Sequence, residues 1–249
     1  GSPMIRGFAT NRILLVIEGV RINNAIYRSV NLQNIISIDA LGTQTAEVIF
    51  GPGSLIYGSD AIGGVMDFHS LNAGFSKDKK MLVSGSALAR YSTANKENTF
   101  HADINLGFKR WSLLSSVTYS KFDDLKMGKH GGQSSYLRPE YVERINGIDS
   151  IVKNSNSRIQ RFSGYEQINF LQKIRYKPTE HFDIQYSFTY AGTGNAPRYD
   201  RLIQYRSGKL RFAEWNYGPM LWRMHNLQML HSKKNILYDD LRVTVAYQN

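Results

Sequence analysis

The residues able to do chemistry point to recognition rather than catalysis. There is no cysteine, which removes thiol nucleophiles, thiolate metal sites and disulfide staples together. The histidines, His69, His101, His130, His181, His225 and His231, show no metal-ligand spacing, and no nucleophile sits beside a sequence-adjacent base. No enzyme and no resident cofactor are expected. What stands out is a stretch between Thr193 and Arg223 with six basic, two acidic and six aromatic residues. Its Arg198, Tyr199, Arg201, Tyr205, Arg206, Trp215 and Tyr217 belong to types favoured at recognition surfaces, because they join large contact area to directed polar groups. A solvated or self-packed loop would have the same composition.

Such residues need elements to carry them, and composition narrows the choice. In 249 residues, 42% are apolar and 12% aromatic, enough to build a core. The longest aliphatic run, Ile13 to Ile17, is far shorter than the ~18 residues of a membrane helix, so any membrane-spanning part must be a barrel. The formal charge of +11 is concentrated in segments read below as loops. That distribution fits a face turned toward outer-membrane lipid or an anionic ligand, and with no recognisable motif, nucleic acid is not an expected partner.

The chain reads in two styles. Residues 1–75 form a compact unit with short strands at Ile13 to Glu18, Ala46 to Phe50 and Val65 to His69. Residues 76–249 read as about seven long alternating strands. From Thr99 to Phe108, one face holds Phe100, Ala102, Ile104, Leu106 and Phe108, and the other holds Thr99, His101, Asp103, Asn105 and Gly107. Phe182 to Tyr190 alternates likewise, and weaker versions lie at about 80–91, 111–122, 165–176, 222–231 and 241–248. Short connections at Lys109-Arg110 and Pro178 to His181 contrast with long ones at about 121–163 and 193–221. Short turns at one end and long loops at the other are what an outer-membrane barrel shows. Alternation alone would also fit a soluble sandwich; strands of nine or more residues and a loop near forty favour the barrel. Phe108, Trp111, Tyr176 and Phe182 flank the short turns, as interfacial girdles would.

Glu47 to Ser70, EVIFGPGSLIYGSDAIGGVMDFHS, carries the most specific pattern. Gly51-Pro52-Gly53 ends a strand, Ser54 can cap a short helix, and Gly63-Gly64 permits positive φ or close backbone approach. It ends in no Gly-Lys-Ser/Thr, so it is not a Walker-type phosphate loop. With Ile5-Arg6-Gly7 and the run Asn11 to Arg21, it resembles the plug of TonB-dependent outer-membrane receptors; Glu18 stands where that family usually has Asp. Glu18, Arg21 and Glu47 are expected to form buried or lumen-facing ion pairs.

The resemblance implies a mainly β fold, in which the C-terminal part of a plug domain precedes the first antiparallel strands of a transmembrane β-barrel. It also implies a fragment, since a plugged transporter barrel has about 22 strands. The implied activity is import of a scarce extracellular ligand, energised by the TonB-ExbB-ExbD complex through an N-terminal box not found in this chain. In wording the plug is most similar to Bacteroidetes haemoglobin and haem receptors, which makes haem or a haem protein the expected cargo. Glycan or cobalamin import, or a non-transporting surface domain, are the alternatives. The family places a substrate-contacting loop after Arg21, here Asn23 to Asn31, with Asn24, Tyr27 and Arg28 as candidate contacts. His130, in Lys129-His130-Gly131-Gly132, is the candidate haem ligand.

Overall fold

The computed structural model describes residues 3–9, 12–22, 35–51, 54–58, 61–78, 80–130 and 136–249. Its N-terminal part is a four-stranded mixed sheet. β1 (Ile13–Ile17) lies between β2 (Val20–Arg21) and β4 (Gly64–Ser70), and β3 (Thr43–Ile49) is at the far edge beyond β4. β1 runs parallel to β4, and β3 antiparallel to it. A strand covered on both faces reads as a continuous apolar run, and β1, Ile-Leu-Leu-Val-Ile, is buried throughout. Ile13, Leu15 and Ile17 join a core with Ile5, Ile22 and Phe68, while Leu14 and Val16 pack on Ala61 and Val65 from the opposite side.

The glycine pair before β4 does both things that its type allows. The Gly63 N–H donates to the Arg12 carbonyl at 2.7 Å. A Cβ on Gly63 would stand 2.8 Å from that oxygen, and Gly64 has φ +136°. Three short strands were expected in this region and are present, within a few residues at their ends.

The second sheet is a seven-stranded antiparallel meander. Its strands are β5 (Leu82–Ser92), β6 (Glu97–Gly107), β7 (Trp111–Phe122), β10 (Tyr165–Thr179), β11 (Phe182–Thr193), β12 (Met220–His231) and β13 (Leu241–Gln248), each hydrogen-bonded to the next. All seven expected strands are found. The long connections are structured rather than plain loops. The first contains the hairpin β8 (Glu140–Ile145) and β9 (Ile148–Lys153); the second contains short strand pairs and a single helical turn, α1 (Tyr199–Leu202). The short outer hairpin at Thr93–Lys96 is anchored on the first long connection: Asn95 and Ala94 carbonyls accept the Asp123 and Lys126 N–H groups.

Alternation along these strands separates two faces. In β6, Thr99, His101 and Asn105 are buried, while Phe100 and Ile104 are exposed on the other face. The outward side of β13 is Leu241, Val243, Val245 and Tyr247. Near the short turns, Trp111 stacks on Tyr176 at 4.1 Å, and Phe182 lies edge-on to His231. The inner face departs from a uniformly polar lining in two places, and in the first Leu114 and Leu171 pack on Ala73. In the second, Ala191, Trp222 and Met224 are buried in the same apolar core as Ile17, Ile22 and Phe68. Burying side chains such as Trp222 and Met224 stabilises the contact by about 1.5–3 kcal/mol each.

Candidate functional site

Two places gather polar chemistry: the seam between the two sheets, and the connections at the open end of the wall. The seam centres on the tight turn joining β1 to β2, where Glu18 and Gly19 have φ +53° and +77°. Such a turn projects its first residue away from the sheet. The Glu18 carboxylate accepts the Ser70 N–H at 2.7 Å, the Ser70 hydroxyl at 2.6 Å and the Lys173 ammonium at 3.0 Å. Lys173 is fully buried in β10 and also donates to the Ser70 carbonyl. From β12, Asn226 and Gln228 both donate to the Glu18 carbonyl, at 3.3 and 2.7 Å. One residue of the N-terminal unit is thus held from β4, β10 and β12 together. Burial pushes the Glu18 carboxyl up, but Lys173 and the Ser70 donors outweigh it and hold the group below the usual glutamate range.

Further contacts extend the seam. Gln167 and Asn169 donate to the Ile36 and Ser37 carbonyls at 2.6 and 3.3 Å, and Gln248 to the Arg21 carbonyl at 2.8 Å. Thr118 donates to Asp39 at 2.7 Å and also meets His101, whose other ring nitrogen is 3.4 Å from Asp103. Most of these wall groups are neutral amides and hydroxyls, which hold a backbone without the desolvation cost of an ion pair.

Of the three charges expected to pair, Glu18 does so with Lys173. Arg21 places its guanidinium against Gly58. Glu47 departs from expectation, because the register of β3 on β4 sets it opposite another carboxylate, Asp67. Asp67 is buried, with Tyr57 donating to one oxygen at 3.1 Å and His69 3.6 Å from the same oxygen. Its other oxygen has no partner among the described residues. Burial raises the Asp67 carboxyl, and Glu47 and Glu18 add to the rise. Lys173 was not singled out from sequence; its signal was a cation midway along a strand's polar face.

At the open end, the residues expected to recognise ligand come together in part. Arg198 lies over the Tyr217 ring at 5.0 Å and donates to the Tyr217 hydroxyl at 2.9 Å. Arg201 lies over Trp215 at 5.5 Å, and Trp215 packs edge-on against Phe212. Tyr205 donates to Glu140 at 3.0 Å, tying the second connection to the first. Tyr199 sits in the crevice between the two, where burial raises its hydroxyl pKa. Arg206 is exposed at a separate hairpin. The Arg198 guanidinium also bonds Asp200, at 2.9 Å through Nε. These side chains therefore form a cross-braced platform, in which arginines are partly engaged by their own loop. His130 is exposed, and no cluster of three or more metal-ligating side chains occurs among the described residues. Asn24, Tyr27 and Arg28 lie outside the described residues.

Residues 1–65 match the family model of the TonB-dependent Receptor Plug Domain. The fold, a small mixed sheet followed by a long antiparallel meander, is that of a plug portion with barrel strands after it. Among relatives, the chain is 26% identical over 230 residues to a vitamin B12 transporter, BtuB, of Vibrio vulnificus strain YJ016, covering 88% of this chain and 32% of that protein. It is 36% identical over 99 residues to the BtuB of strain CMCP6, covering 40% of this chain and 15% of that one. Among solved structures, the copper transporter OprC superposes with a TM-score of 0.70 at 14% identity, over 100% of this chain and 31% of its own. The FrpB iron transporter from Neisseria meningitidis gives 0.67 at 15% identity, over 98% and 34%. The chain spans about a third of the length of the YJ016 relative.

Proposed function

We propose that this chain, residues 1–75 as plug and 76–249 as the first wall strands, serves an outer-membrane receptor that imports a metal-bearing ligand with energy from TonB. The observation that carries this reading is the seam. The plug is fastened at Glu18 by one buried ion pair and a set of hydrogen bonds beside a small shared apolar patch, a mixed seam that can be held closed at rest and released by a pull. The long connections face outward in this reading, and the Arg198–Tyr217 and Arg201–Trp215 pairs form the rim that meets ligand. Tyr27 and Arg28 are proposed as the plug's contribution, a flat ring and a guanidinium suited to a carboxylated macrocycle.

The relatives above, named for vitamin B12, copper and iron, support this cargo class. Haem fits the chemistry of Tyr27 and Arg28, and a corrinoid fits the two BtuB relatives. The test is uptake by cells carrying the gene, offered radiolabelled cyanocobalamin, haemin or a ferric siderophore in separate arms. Saturable uptake of one ligand, abolished by a protonophore, is the expected result. Uptake of all three without saturation and insensitive to the protonophore would overturn the reading.

A further inference from the structure

We propose that His101 is a positioning residue for the plug segment 36–39, seating it against the wall while the imidazole ring carries a proton and releasing it when the ring is neutral. This rests on the reading of the two sheets as plug and wall. Three wall side chains hold the segment: Gln167 at the Ile36 carbonyl, Asn169 at the Ser37 carbonyl and Thr118 at the Asp39 carboxylate, the last at 2.7 Å. The two amides bond neutral backbone, so of these three contacts only that of Thr118 involves a charge. Thr118 stands directly opposite His101 in the register of β6 on β7, and its hydroxyl oxygen is 2.7 Å from His101 Nδ1. The ring is buried, 6% exposed, so a partner that it loses is not readily replaced by water.

Proton counting makes the Thr118 contact conditional. A threonine hydroxyl has one hydrogen, and an ionised carboxylate only accepts. While Thr118 donates to Asp39, it has to accept from an Nδ1–H of His101. A neutral ring in that tautomer leaves a bare Nε2 lone pair 3.4 Å from the Asp103 carboxylate, and the Ser86 hydroxyl holds Asp103 there by the same oxygen. In the other neutral tautomer an Nε2–H lies beside Asp103, but Nδ1 then takes the Thr118 proton and Asp39 loses its donor. Only the imidazolium, with a hydrogen on both nitrogens, suits Thr118, Asp39 and Asp103 together. Around the ring, β5 adds Arg90, which is bonded to Glu97 of β6 at 2.8 Å; β7 presents Ser116, Thr118 and Ser120 and no charge; the plug presents Asp39. By linkage the seat is favoured as pH falls through the histidine range and loosens as pH rises. Segment 36–39 follows Asn23 to Asn31, the stretch of Tyr27 and Arg28, so the proton on His101 bears on the end of the plug proposed to meet cargo.

The test is hydrogen exchange at residues 36–43, which include the Leu41 N–H bonded to Asp39 at 3.0 Å, in the full-length receptor purified in detergent without cargo. Corrected for the intrinsic pH dependence of exchange, opening of this segment should rise about tenfold from about pH 5.5 to about pH 8, the factor for losing one hydrogen bond to a charged group. The His101 signal in nitrogen NMR of histidine-labelled receptor, assigned by its loss in His101→Gln, should pass over that range from both nitrogens protonated to one. His101→Gln should make the opening independent of pH. Asp103→Asn should keep the segment seated at about pH 8, because an amide donates to Nε2 and leaves the Nδ1–H on Thr118. His69→Gln, at the histidine beside Asp67 in the plug, should retain the wild-type response. Heat-modifiable migration checks that each variant is folded. Wild-type opening that does not change with pH overturns the proposal, as does a pH response that survives His101→Gln, is unaltered in Asp103→Asn or is lost in His69→Gln. Protonophore-sensitive uptake is scored separately, so failure of the transport reading leaves these outcomes intact.

Discussion

Removing the Lys173 ammonium while keeping its bulk, as in Lys173→Met, should loosen the plug more than any other single change on the wall. Glu18 would keep its two Ser70 donors but lose its buried cation, in a site where the Lys173 side chain is 0% and the Glu18 side chain 9% exposed. Stripping one partner from a buried pair costs about 3–5 kcal/mol, because the remaining charge stays desolvated. Glu18→Gln alone keeps the Ser70 contacts, and its amide needs no cation. The double variant Glu18→Gln, Lys173→Met should therefore recover about 1–4 kcal/mol of the loss. The assay is hydrogen exchange of the β1 amides in the intact receptor, where each ~1.4 kcal/mol of destabilisation raises the opening constant tenfold. A double-mutant cycle with a coupling energy below about 0.5 kcal/mol would refute the reasoning, since independent sites add to within that margin.

Other outcomes can be checked alongside. The Glu18 carboxyl is held below its ordinary value, so its contribution is complete above the unfolded value near 4.3 and declines as pH falls through the lower folded value. Urea titrations of the plug at pH 6 and pH 3 should show this decline, and Glu18→Gln should flatten it. Asp67 has the opposite sign: its raised carboxyl disfavours the folded state as pH rises past the unfolded value near 3.9, so Asp67→Asn should leave the plug as stable or more stable at pH 7. Ile104→Lys places charge on the outward face of β6 and should cost about 2–4 kcal/mol near the bilayer midplane; unchanged urea stability after insertion into lipid would count against a membrane wall. Tyr27→Ala with Arg28→Ala should weaken cargo binding by roughly 1–3 kcal/mol at unchanged surface abundance, measured by titration calorimetry.

The wall was legible because its strands obey a period of two, and Thr99 to Phe108 shows it without exception. The weaker strand at 222–231 reads poorly for a physical reason: its inward positions Trp222 and Met224 are apolar, since they meet the plug's core rather than water. The hairpin of β8 and β9 lies in a stretch whose length and composition read as loop, although Asn146-Gly147 between two β-rich runs is a strong local signal for a hairpin, and both residues adopt positive φ there. The seam was half visible. Glu18 could be singled out by its place in the motif, but its partners Lys173, Asn226 and Gln228 are remote in sequence, and only three-dimensional register brings them together. The loop arginines were identified by type; that Asp200 and the rings of Tyr217 and Trp215 already engage them depends on local folding that composition does not encode.

The sequence distances across the seam also set an order of events during biogenesis. Glu18 meets Lys173 across 155 residues and Gln228 across 210, and Arg21 meets Gln248 across 227. At ordinary elongation rates the turn is made roughly 10–40 s before the glutamine that fastens it. Contacts of such high order form late and slowly. Until β12 arrives, Ile17, Ile22 and Phe68 have no Trp222 or Met224 to cover them, so the nascent N-terminal segment exposes apolar surface that favours aggregation. Mutations at Asn226 or Gln228 would then show first as poor assembly and degradation, before any defect in a receptor that reaches the surface.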